Sequence, residues 1–258
     1  EIFSGASDYI AKKQLDWQLM PLNFGFEARL IELARSGQVT GALGTFVSDQ
    51  WVERLLDLDV PAINMFNFSK IETIPNVGPD DFDTGKAAAT HLRTQAAETF
   101  AFFGADNVYY TRLREAGFKS GLRGVNYIKL HPGPSLPDQL KAIKSHSSLI
   151  GVFCSNDLAA RELITIAQQQ DVKCGKDFLV VGVDNDPSES IFAGIGISSF
   201  KQPIRETGYF ATQALHDWLR LGKQGAKQKR LLPGQLIPRE SSLASNRART
   251  GQQAAQYI

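Results

Sequence analysis

Three apolar segments of this chain run straight into polar clusters. Phe153-Cys154 is followed by Ser155-Asn156-Asp157, and Val181-Gly182-Val183 by Asp184-Asn185-Asp186-Pro187. Phe102-Phe103-Gly104 is followed by Ala105-Asp106-Asn107. A carboxylate accepts from two neighbouring hydroxyls, a side-chain amide both donates and accepts, and a guanidinium donates through a rigid fork. Such a set suits a polyhydroxyl ligand. Each cluster alone is also what caps a helix, because Asn, Asp and Ser bond to the first free amides. Three in succession, beyond the ends of successive strands, favour a polar small-molecule site. Cations come from Arg112 and Arg114 in Thr111-Arg112-Leu113-Arg114-Glu115. On a helix these two are about 200° apart, so one faces a shared site and the other faces solvent.

Enzymatic arrangements are not assembled. Gly194-Ile195-Gly196 lacks a third glycine and lies in an apolar run rather than before a helix. No phosphate loop ends in Gly-Lys-Ser/Thr, and no Gly-x-Ser-x-Gly elbow occurs. His91, His131, His146 and His216 have no metal-ligand spacing. Cys154 follows a strand with no activating histidine nearby in sequence, and so reads as a small core residue. No cofactor and no catalytic residue is expected.

The elements that must carry these groups alternate. Strands are predicted over 17–22, 39–46, 62–66, 100–104, 127–130, 150–154, 178–183 and 195–200. Amphipathic helices are predicted over 28–35, 50–58, 84–93, 111–122, 137–146 and 158–169. Phe178 to Val183 is apolar without alternation, as in a strand covered on both faces. The fold class is α/β with parallel sheets.

The 258 residues suffice for a core without disulfides or metals, and two cysteines make no framework. No apolar run reaches eighteen residues, so no membrane helix is expected. No signal peptide is visible, and the start at Glu1 without Met leaves room for missing residues. The net charge of +1 is uneven: residues 1–219 hold 20 basic and 26 acidic groups, and residues 220–258 hold 8 and 1. The basic end is either a solvated linker or an attraction for a polyanion.

Together these segments resemble the ligand-binding core of the lactose/galactose-repressor family of bacterial transcription regulators, a two-lobed fold shared with periplasmic sugar-binding proteins. The resemblance rests on Val77-Gly78-Pro79-Asp80-Asp81 with Gly85 and His91-Leu92, Arg112 to Phe118, Gly151 to Asp157, Val181 to Asp186, and Ser199-Phe200-Lys201-Gln202-Pro203 with Gly208. They follow the family's order over residues 1–243. The turn Val183-Asp184-Asn185-Asp186 and the closing Ile237-Pro238-Arg239-Glu240-Ser241 point to the xylose-operon regulators. The resemblance implies one lobe of residues 1–97 plus 203–227 and another of 98–202 plus 228–245, with a ligand held in the cleft between them. It implies that 246–258 is a linker or the start of a DNA-binding domain. It also implies that residues 2–13 are the family's first helix and that the preceding strand is missing.

Carried over residue by residue, the ligand contacts fall on Asp184, Arg114, Asn156, Phe153, Gln202 and Asp80. Asp184 would accept from ring hydroxyls, Arg114 would donate and Asn156 would bridge. Phe153 would offer its ring to the sugar, or else pack beneath the site. Phe46 and Asn67 are further first-lobe candidates. The implied partners are a sugar effector, xylose or another pentose, and operator DNA through a domain absent from this chain. A second copy in a homodimer is also implied, with Phe68 and Ile71 as contributors. The implied setting is the cytoplasm, with no membrane. The rival expectations are a sugar-binding protein of a transporter and an enzyme on the same frame.

Overall fold

The computed structural model describes residues 1–22, 25–105, 107–145 and 149–243. Asp106, His146 and the expected linker 246–258 lie outside them.

The chain divides into two compact units. The first comprises Glu1–Asp80 and Pro203–Leu232. Its sheet holds β1 (Ala42–Gly44), β2 (Ala62–Met65), β3 (Asn76–Pro79) and β9 (Lys229–Leu232), in that order and all parallel. Helices α1 (Ile2–Lys13) and α9 (Ile204–Leu221) pack together through two glycines. A Cβ on Gly5 would sit 1.8 Å from the Arg205 carbonyl oxygen, and one on Gly208 2.1 Å from that of Ile2. The remaining helices of this unit are α2 (Phe26–Arg35) and α3 (Asp49–Leu56), whose start is capped by Ser48 accepting from Trp51 N–H. Residues 17–22 are not a strand. A strand needs a neighbour to take its amides and carbonyls, and the order β1-β2-β3-β9 provides none beside this segment.

The second unit comprises Asp81–Gln202 and the described residues from Pro233 onward. Its strands are β4 (Thr99–Phe103), β5 (Tyr127–Leu130), β6 (Ile150–Cys154), β7 (Phe178–Val183), β8 (Ser198–Lys201) and β10 (Gln235–Ile237). Their order is β10-β8-β7-β6-β4-β5, parallel except for β10. Alternate residues of each central strand enter two different cores, following the period of two. Ala101, Phe103, Val152, Cys154, Phe178 and Val180 pack on one face. Phe100, Phe102, Phe153, Leu179, Val181 and Val183 pack on the other. Both faces are covered, which is why these strands carry no polar alternation.

The helices are α4 (Asp81–Thr94), α5 (Tyr109–Leu122), α6 (Leu136–Lys144), α7 (Asp157–Gln169) and α8 (Pro187–Ala193). α4 crosses α5 through Gly85 and Gly117: added Cβ atoms would lie 2.1 Å from the Arg114 oxygen and 1.9 Å from the Phe82 oxygen. This crossing places residues 81–97 with the second unit, whereas the resemblance assigns them to the first. The second-unit boundary likewise falls after Leu232 rather than at 227, because β9 completes the first sheet beside β3.

Candidate functional site

The second unit gathers polar side chains where β6, β7 and β8 end. Backbone contact at the α4–α5 crossing brings the first turn of α4 beside the first turns of α5. Arg114 Nε donates to Asp81 Oδ1 at 2.8 Å, and both side chains are almost fully buried. Arg114 Nη1 donates to the Ser155 carbonyl oxygen at the end of β6. Its guanidinium lies 4.5 Å from the Tyr110 ring centroid, a cation–π distance. Arg112 is exposed and lies over Tyr109, so one arginine faces inward and the other solvent, as their 200° separation predicts.

Asp184 follows β7 with φ 109°, and Asn185 follows with φ 55°. The Asp184 carboxyl is solvent-accessible at the turn yet closely surrounded by protein. Burial pushes its pKa up to about 6. The Arg114 charge draws it down, Asp81 and Asp186 push it up, and the side-chain amide of Gln202 approaches as a donor and lowers it. Gln202 directly follows β8 and is buried, and its Oε1 has no hydrogen-bond partner among the described residues. Asp157 opens α7. Burial pushes it up to about 7; hydrogen bonds from Ser199 and the Asp186 amide, and the charge of Arg239, oppose this, while Asp184 adds to it. A buried carboxylate avoids such a shift only if enough donors reach it.

The predicted residues thus fare differently. Asp184, Arg114 and Gln202 are brought together. Asn156 caps α7, its Oδ1 accepting from Ala159 N–H at 2.8 Å. Among the described residues its NH2 group has no hydrogen-bond partner. Phe153, expected either to face the sugar or to pack beneath the site, is fully buried and stands 5.7 Å from Phe102 and 5.4 Å from Phe118. Period-two alternation turns it into the core, opposite in sense to Cys154. Asp80 belongs to the first unit, where its amide donates to Leu232 O at 2.8 Å. In the same unit Phe46 is buried and stacks on Trp51, and Asn67 is buried and bonded to Asn76. Ile71 is buried within its own unit, while Phe68 is half exposed.

Asp81, Asp157, Ser199 and Arg239 were not singled out from the sequence. The first two adjoin residues that were, Asp80 and Asn156. The pairing of Asp81 with Arg114 depends on the helix crossing, which spacing does not encode. Cys154 is fully buried, and burial pushes its thiol well above the usual range, the opposite of an activated nucleophile. His91 Nε2 is bonded to Ser242 Oγ at 2.6 Å, and Tyr9 Oη to His216 Nδ1 at 2.9 Å. Among the described residues no group of three His, Cys, Asp or Glu could hold a metal ion, and no helix is long and apolar enough to cross a membrane.

A parallel α/β sheet with accepting and donating side chains at its strand ends defines the class: a binding domain for a polar small molecule. Residues 89–242 match the pattern of the periplasmic binding protein-like domain, and the chain belongs to that family. It is 25% identical over 264 residues to the xylose operon regulatory protein of Escherichia coli K12, with 94% of this chain and 66% of that protein covered. The chain therefore spans just under two thirds of that relative's length. Among solved structures it resembles a LacI family transcriptional regulator from Enterococcus faecium with bound ribose, at TM-score 0.70 and 24% identity, covering 94% of this chain and 93% of the other. It also resembles a periplasmic binding protein/LacI transcriptional regulator from Alkaliphilus metalliredigens complexed with D-xylulofuranose, at TM-score 0.69 and 19% identity, covering 94% and 93%. At these identities the solved structures show the fold. The matches support a lactose/galactose-repressor type of ligand-binding core near the xylose-operon regulators.

Proposed function

We propose that the chain is the effector-binding core of a transcription regulator that senses a small sugar, a pentose such as xylose. Its binding to operator DNA, through a separate DNA-binding domain, would change with the sugar. The observation that carries this reading is the joint placement of Asp184, Arg114 and Gln202, with an acidic acceptor, a cationic partner and an unpaired buried amide oxygen. One sugar hydroxyl donates to the carboxylate and another to Gln202 Oε1, and the free NH2 of Asn156 donates to a sugar oxygen. Arg114 serves chiefly through its charge, since Asp81 and the Ser155 carbonyl take two of its donors. Asp80 is a further contact of the proposed set; Phe153 acts beneath the site by packing. Sugar binding favours one arrangement of the protein, and a homodimer in the cytoplasm couples it to DNA. The named curated relative is a regulator, which favours this reading over a transporter's binding protein or an enzyme.

The test is a thermal-shift screen with pentoses, hexoses, sugar phosphates and purines. A ligand at a hundredfold excess over its Kd raises apparent stability by about 2.7 kcal/mol. A shift with a pentose alone supports the reading. A shift confined to purines or sugar phosphates replaces it.

A further inference from the structure

Asp157 has no need to start its helix, because Asn156 already caps it. Its buried carboxylate reaches elsewhere. Oδ2 accepts from Ser199 Oγ–H at 2.9 Å and from the Asp186 amide at 2.8 Å. Ser199 Oγ in turn accepts from the Asn185 amide at 2.9 Å. The Asp184 amide donates to Phe200 O at 2.9 Å. Three successive amides of the turn are therefore tied to β8 and α7, two of them through Asp157. From the other side, Arg239 Nη2 donates to Asn185 Oδ1 at 2.6 Å, and its Nη1 to Ile197 O at 2.6 Å.

The backbone so held is unfavourable. Asp184 and Asn185 both have positive φ, at 109° and 55°. Non-glycine residues in such regions cost on the order of 1–3 kcal/mol and persist only when the surroundings over-determine them. Asp157 is also costly in itself: Oδ1 has no partner and lies against Gly182, where a Cβ would approach it to 2.1 Å. A buried acid with an empty acceptor stabilises less than an apolar side chain of the same size would.

We propose that Asp157 is a positioning residue which touches no ligand and sets sugar affinity by clamping the strained Asp184–Asp186 turn, so that the Asp184 carboxylate is aimed before the sugar arrives. The inference rests on the sugar-site reading of Asp184. Preorganisation of this kind lowers the cost of binding rather than adding a contact.

The experiment uses the full chain with D157A, D157N and S199A, D-xylose and D-ribose as probes, calorimetry for affinity and hydrogen exchange at individual amides. D157A removes both acceptors and is expected to weaken whichever pentose the native chain binds by about tenfold or more, as for a lost bond to a charged group. D157N keeps one acceptor oxygen and is expected to stay within about threefold. In D157N the retained oxygen is expected to keep exchange at Asn185 and Asp186 as slow as in the native chain, whereas D157A speeds it. A simple packing role would leave exchange at these two amides unchanged in both variants. S199A speeds exchange at Asn185 while α7 amides keep their protection. D157A binding as tightly as the native chain, or unchanged exchange at Asn185 and Asp186 in both D157A and S199A, overturns the clamp. If D157A does not fold, exchange at Asn185 in S199A decides. If the native chain binds neither pentose, the sugar reading fails, and exchange at Asn185 and Asp186 still decides whether the turn is clamped.

Discussion

Both units set polar side chains in or beside their strands, but among the described residues those of the second unit leave acceptors without a partner. In the first unit the polar groups close on themselves. Asn64 Oδ1 accepts from the Phe46 amide at 3.0 Å, and its Nδ2 donates to Phe66 O and Asn76 Oδ1, each at 3.0 Å. Asn76 Nδ2 donates to Asn67 Oδ1 at 2.8 Å, and Asn67 Nδ2 to Pro79 O at 3.3 Å. Neutral amides matched donor to acceptor lock β2 and β3 together. In the second unit the groups are acids. Asp184 and Asp157 are pushed up, and Gln202 Oε1 and Asp157 Oδ1 have no partner. A satisfied amide network rigidifies, whereas an under-satisfied acidic one is a place where a ligand or a strained turn is held. Polar side chains beside the strands thus close a structural network in one unit and leave acceptors without partners in the other.

The sharpest way to break the comparison is to open the helix crossings that both units share. G117A would drive a Cβ to within 1.9 Å of a backbone oxygen in α4, and G208A to within 2.1 Å of one in α1. Neither neighbour is a flexible tip, so each substitution is expected to cost about 3 kcal/mol or more. Urea unfolding measures this. G117A should also separate Arg114 from Asp81 and abolish sugar binding.

D184A comes next. It removes an accessible carboxylate and should weaken sugar binding by about a hundredfold or more, the loss of two bonds to a charged acceptor. Thermal stability should change little. Unchanged affinity by calorimetry would take Asp184 out of the site.

How far the sequence could be read follows the same division. β5, β6 and β7 coincide with the predicted ranges; β6 and β7 do so because strands covered on both faces are apolar from end to end, whereas β5 is an edge strand that carries Lys129. α8 and α9, β3, β9 and β10 were not predicted. β3 reads Asn-Val-Gly-Pro, poor in strand formers, and β9 begins with Lys229 and Arg230; both are strands because their neighbours complete the ladder. Asp184 and Asn156 could be picked out because polar residues at strand ends are visible locally; helix geometry left Arg112 and Arg114 as alternatives, and only the family resemblance chose Arg114. Asp81 and Asp157 act through partners 33 and 29 residues away in the chain, and Phe153 turned inward on a parity that only the register decides.

The acids also predict a pH dependence. Burial raises Asp157 from the ordinary carboxylate range near 4 to about 7. Between those values the folded chain holds a proton that the unfolded chain has released, so this group's contribution to stability falls as pH rises from about 4 to about 7. The loss is on the order of 2–4 kcal/mol. D157N should remove it and stabilise the chain at pH 8. Glu115 behaves oppositely: burial would raise it, but Lys119, Lys129 and Tyr127 outweigh burial and hold it at about 2. Its contribution is present above about 4.5 and is lost as pH falls through 2. Denaturant midpoints of the native chain and D157N, compared from pH 4 to pH 8, check this.

The smallest effect separates the amides. N64A in the first unit leaves the Phe46 amide and Asn76 Oδ1 without their partner in a buried place, and should cost about 2 kcal/mol of stability. Q202A in the second unit deletes an oxygen that has no partner in the fold and an amide whose main neighbour, Asp184, still reaches water. Stability should change by less than about 1 kcal/mol, and sugar affinity should fall about tenfold through loss of one hydrogen bond and the accompanying aim of Asp184. The split between the two measurements is the point. If Q202A unfolds as easily as N64A, Gln202 belongs to the scaffold, and the second unit's strand ends are as self-contained as those of the first.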